Sequence, residues 1–122
     1  MTAAAGIGER YGAMFARLAA RGQGAFVPFT VLGDPDLDTG RAVVQALVEG
    51  GADALELGIP FSDPIADGPA IQAAAERALT AAVTPSACLD LVRATRARNP
   101  GLPIGLLVYA NLVERRGLDR FY

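Results

Sequence analysis

Three short apolar segments, Ala25 to Leu32 (AFVPFTVL), Asp53 to Ile59 (DALELGI) and Leu102 to Ala110 (LPIGLLVYA), constrain this chain more than any other feature. Each is too short for a helix, is bounded by Gly, Pro or Asp, and is separated from the next by helical patterning. Strands that alternate with helices and are apolar on both faces imply an α/β fold with a parallel sheet built from βαβ units.

The intervening segments read as helices. Ile7, Tyr11, Met14, Phe15 and Leu18 form one stripe of a helix from Ile7 to Ala20, which Gly22 and Gly24 stop. A second helix spans about Asp38 to Glu49, with Asp38 or Thr39 as its cap and Gly50-Gly51 at its end. Pro69 opens an alanine-rich helix to about Ala82, and Thr84-Pro85 caps and opens another to about Arg98. The third strand is expected to run to Ala110, with a further helix starting at Gly117-Leu118-Asp119. At 122 residues one domain, 1–122, is expected. Three such strands open either a doubly wound sheet or a (β/α)8 barrel. A barrel typically needs roughly 250 residues, so on that reading the chain supplies about its first three βα units.

Composition excludes several chemistries. There is one Cys, Cys88, and no His, so neither an internal disulfide nor a Ser-His-Asp or Cys-His site is available. Cys88 reads as a small buried hydrophobe. The chain has no Lys and a net charge of -2, which argues against a nucleic-acid backbone binder and excludes a P-loop. Arg93, Arg96 and Arg98 read as a solvated helix face. Met1 to Gly8 has no basic export-signal start. The longest apolar run, Leu102 to Val113, is broken by Pro103 and Asn111 and is too short to span a bilayer. A cytoplasmic setting is the simplest expectation, with no membrane partner.

Carboxylates are left to carry acid-base work. In the second strand Leu55, Leu57 and Ile59 share the face suited to helices, while Ala54, Glu56 and Gly58 share the other. An acid among small residues near the carboxyl end of a parallel strand points toward the mouth where such folds bind ligands. A solvated or ion-paired strand glutamate is the competing reading; buried in a structural role it would demand a cationic partner, and none lies nearby in the sequence. The loop from Pro60 to Gly68 adds Asp63 and Asp67. Together these acids can supply a general acid-base and a second anion for developing positive charge. Their spacing matches no metal loop, and no metal site is expected. Taken alone, Asp67-Gly68-Pro69 reads first as a turn into a helix, with Asp67 near its N-terminus. Phe29, Leu107 and Tyr109 fall on alternating positions of the outer strands, where they line the mouth or simply pack the core.

Specific strings then enter: Ala25 to Phe29 with Leu32-Gly33-Asp34-Pro35, GADALELGIPFSDPIADGPAIQ from Gly51 to Gln72, and PIGLLVYANLV from Pro103 to Val113. These closely resemble the tryptophan synthase α chain from about Glu9 to Tyr122, with Thr2 to Gly8 an uninformative extension. The resemblance implies a (β/α)8 TIM barrel and a cofactor-free lyase of tryptophan biosynthesis. That lyase cleaves indole-3-glycerol phosphate to indole and glyceraldehyde 3-phosphate by a retro-aldol reaction. It implies Glu56 as the general acid/base and Asp67 as the acceptor of the indole N–H. It places Phe29, Leu107 and Tyr109 around the indole ring. It turns Pro60, Asp63 and Asn111 toward a pyridoxal-phosphate-dependent β chain, with which the family forms a heterotetramer. The family's phosphate-binding segments and mobile loop lie in the second half of its barrel and match nothing in this chain. The 122 residues alone are therefore expected to be inactive. The alternative is a non-catalytic fragment or interaction subunit that only contacts or modulates a β chain.

Overall fold

The computed structural model describes residues 8–121. Its centre is a three-stranded parallel sheet in the order β1-β2-β3, formed by Phe29–Val31, Leu55–Gly58 and Ile104–Leu107. The strands are shorter than their apolar runs. Pro28 has no N–H to give to a ladder, so β1 starts after it. Pairing continues before it in irregular form, with Asp53 N–H donating to Phe26 O and Phe26 N–H donating to the Asp53 carboxylate, both at 2.8 Å.

Six helices accompany the sheet among the described residues: α1 Glu9–Ala20, α2 Leu37–Glu49, α3 Pro69–Thr80, α4 Pro85–Arg98, α5 Ala110–Arg116 and α6 Leu118–Phe121. The expected start of α1 at Ile7 lies outside the described residues. Met14 and Leu18 of α1 pack on Ala54 with Tyr11 beside them, whereas Phe15, expected in the same stripe, is 55% exposed. The cap of α2 is Asp36, not Asp38 or Thr39: its carboxylate accepts the Thr39 N–H at 2.8 Å. Thr84 does cap α4, accepting from Ala87 N–H at 3.1 Å, and Pro69 and Pro85 open their helices. The strand expected to reach Ala110 ends at Leu107, and α5 follows it almost at once.

Leu55, Leu57 and Ile59 are buried in the main core with Val44 of α2, Ala78 of α3 and Cys88 and Leu91 of α4. The other face of the sheet carries two rows set by the strand register. Phe29, Glu56 and Gly105 form one row; Val31, Gly58 and Leu107 form the next toward the carboxyl ends. Arg96 does not join a solvated face. Its guanidinium donates to the carbonyls of Asn99, Pro100 and Leu102, and desolvation lowers its pKa. No helix among the described residues is long and apolar enough to cross a membrane.

Candidate active site

Glu56 is half-buried in the middle of the sheet's central strand. Among the described residues it has no ion pair, so the cationic partner that a structural role would demand is missing. Its carboxylate lies over Gly105 of β3. A Cβ placed on Gly105 would fall 2.8 and 3.0 Å from the two Glu56 oxygens and 3.0 Å from the Tyr11 hydroxyl. Three oxygens from two elements thus converge on the space above one glycine. Burial, and then the Glu56 charge, push the Tyr11 pKa up against the opposing pull of Arg96, so the phenol keeps its proton. In the sequence Tyr11 stands only as a member of the apolar stripe of α1. Its hydroxyl was the available signal, because a tyrosine turned inward usually has a polar partner.

Asp67 sits two residues before α3, on a loop folded back on itself. Asp67 N–H donates to Pro64 O at 3.1 Å, and the Gln72 amide donates to Asp67 O at 2.7 Å. Tyr109 pins the loop from the far side. Its hydroxyl accepts from Ala66 N–H at 3.1 Å and donates to Asp67 Oδ2 at 3.3 Å, while its ring meets Phe61 at a centroid distance of 4.9 Å.

One cavity brings together Phe29, Pro60, Phe61, Asp67, Leu107 and Tyr109. Glu56 does not line it; it lies one row deeper in the sheet, below Gly58. Phe29 leans over Gly58, where an added Cβ would meet its Cζ at 2.9 Å. Of the residues expected to face a partner chain, Asp63 and Asn111 are exposed and Pro60 is buried at the root of the loop. Asn111 stands in the first turn of α5. Among the described residues no group of three or more His, Cys, Asp or Glu is placed to hold a metal ion.

Consecutive parallel strands in the order β1-β2-β3, with α2, α3 and α4 packed on the Leu55-Leu57-Ile59 face and the apolar side chains of α1 meeting the other face only at Ala54, just before β2, define the class as a βα-barrel segment rather than a doubly wound sheet. The sequence profile of the tryptophan synthase alpha chain matches residues 15–122. The chain belongs to that family. It is 60% identical over 114 residues to the tryptophan synthase alpha chain of Cronobacter sakazakii, covering 93% of this chain and 42% of the relative. Identity to the Escherichia coli alpha chain is 57% over the same length. Among solved structures, tryptophan synthase subunit alpha of Legionella pneumophila superposes with a TM-score of 0.86 at 39% identity, over 92% of this chain and 43% of that one. Tryptophan synthase of Mycobacterium tuberculosis in its aminoacrylate-bound form gives 0.85 at 36% identity, over 92% and 45%. The chain thus spans less than half the length of the relatives it matches, as the first three βα units of a TIM barrel.

Proposed function

We propose that this chain carries the two carboxylates of a tryptophan synthase α-type lyase, which cleaves indole-3-glycerol phosphate to indole and glyceraldehyde 3-phosphate. The observation that carries the reading is the Glu56 carboxylate, half-buried and without a cation, on the same sheet face as the aromatic cavity that holds Asp67. Glu56 gives a proton to indole C3, which makes the ring cationic. Asp67 accepts the ring N–H and favours that charge. Glu56 then removes the proton of the glycerol hydroxyl. The electron pair left on that oxygen forms the C=O bond of the aldehyde, the C–C bond to C3 breaks, and its electron pair restores the neutral indole. Glu56 ends as it began, and no cofactor is needed. Phe29, Leu107 and Tyr109 would hold the ring.

On this reading Asp63 and Asn111 face a pyridoxal-phosphate-dependent β chain, and Pro60 fixes where the loop between them leaves β2. The setting is cytoplasmic tryptophan biosynthesis. The test is indole release from two proteins: the 122-residue chain, and a barrel completed with the remaining residues of the Cronobacter sakazakii relative. The completed barrel is expected to turn over and the chain alone to be silent. Glu56→Gln should abolish release with the circular dichroism unchanged; retained release would remove Glu56 from the mechanism. A chain that stimulates a β chain equally well with and without Glu56 would favour the interaction-subunit reading.

A further inference from the structure

We propose that Gly105 is a positioning residue for Glu56: the side chain it lacks leaves the seat in which the Glu56 carboxylate rests. The inference builds on the reading of Glu56 as the proton carrier. Nothing in the backbone asks for glycine at this position. Gly105 lies inside β3, and its φ is outside the left-handed region that Gly33, Gly51 and Gly117 occupy. Glycine inside a strand is a liability, because it packs nothing and costs more chain entropy than other residues. What does ask for it is the neighbouring strand. Glu56 and Gly105 are register partners, and a Cβ on Gly105 would sit 3.0 Å from Oε2 and 2.8 Å from Oε1, the second a separation real Cβ atoms essentially never show.

The row gives the carboxylate a direction as well as room. On its β1 side Glu56 is partnered by Phe29, a bulky ring; on its β3 side its register partner is Gly105, which has no side chain. The Tyr11 hydroxyl, 3.0 Å from the same point, closes the seat from α1. A methyl group at 105 would therefore force the carboxylate or the phenol to move. Glu56 has the freer side chain, since Tyr11 is packed beside Met14, Leu18 and Ala54.

The experiment pairs Gly105→Ala with a change at Glu56 in the completed barrel. A misplacement of about 1 Å costs on the order of 100-fold in rate, so Gly105→Ala should lower kcat by about that factor with KM little changed. Unfolding supplies a readout independent of activity. Removing a strand glycine favours Gly105→Ala and the crowded carboxylate opposes it, so the substitution should raise the Tm more in a Glu56→Ala background, where the carboxylate is gone, than in the parent. An equal Tm change in both backgrounds, or an unchanged kcat, would overturn the proposal. If the Tm coupling appears and kcat falls in Gly105→Ala while Glu56→Gln stays active, the seat stands and the catalytic reading of Glu56 fails.

Discussion

Tyr109 donates its hydroxyl proton to Asp67 Oδ2 at 3.3 Å across 42 residues of sequence, joining the end of the third strand to the loop after the second. The Tyr109 hydroxyl oxygen also accepts the Ala66 N–H at 3.1 Å, so one phenol fixes both the backbone and the acid of that loop. An aromatic that sequence patterning offers as ring-binding wall or core filler is thus also a clamp.

Tyr109→Phe keeps the wall and removes the clamp. A hydrogen bond to a charged group contributes about 1.5–3 kcal/mol, which corresponds to a loss of roughly 10- to 100-fold if it acts only in the transition state. We expect kcat for indole release in the completed barrel to fall by about that much, with KM nearly constant because the ring stays. A rise in KM at constant kcat would show that the hydroxyl serves binding alone.

Gly58→Ala should push on Phe29, whose Cζ would lie 2.9 Å from the new methyl group. Overpacking of this kind costs typically about 1–3 kcal/mol. Because Phe29 is already 36% exposed, its ring has room to yield, and the expected loss is at the low end. Urea unfolding of Gly58→Ala beside Gly58→Ala/Phe29→Leu measures it: the smaller side chain should recover most of the deficit. A deficit that persists with leucine would place the strain in the backbone of β2 instead.

The alternation of Leu55, Leu57 and Ile59 with Ala54, Glu56 and Gly58 was legible because a strand's period of two sorts side chains by face without help from the rest of the fold. The Pro that begins α3 and the Thr-Pro that opens α4 were legible for a similar reason: caps are local chemistry. What escaped was non-local or unsignalled. Helix α5 begins at Ala110 with Tyr109 in the cap position and no side-chain cap hydrogen bond, so the apolar run from Leu102 reads straight through its start. Arg96 resembles its exposed neighbour Arg93 until the turn after α4 brings three carbonyls to it. Tyr11 and Gly105 are far apart in sequence and meet only through strand register and the docking of α1.

The α2 cap offers a direct check on one misread position. Asp36 accepts both the Thr39 N–H at 2.8 Å and the Thr39 hydroxyl at 3.1 Å, whereas Asp38 lies in the first turn. Asp36→Ala should cost about 1 kcal/mol of stability, and Asp38→Ala only the few tenths due to a charge near a helix N-terminus. Equal losses in urea unfolding would mean that the two acids share the role.

Cys88 supplies a prediction in pH. It is fully buried in the main core, and desolvation pushes its pKa from 9.0 up to about 11. In the unfolded chain the thiol ionises near its ordinary value, while in the folded chain it holds its proton to higher pH. Between those values the unfolded state has released more protons, so stability falls as pH rises. The stabilisation relative to strongly alkaline conditions is fully present below about pH 9 and is lost by about pH 11. A shift of this size corresponds to an effect on the order of 2–3 kcal/mol. Cys88→Ala should flatten that part of the stability–pH curve even though it leaves a small void. The wild-type thiol should also resist Ellman's reagent at pH 8 until denaturant is added. Rapid labelling of the folded protein would mean that α4 opens locally, and the slope across the alkaline window should then shrink with it.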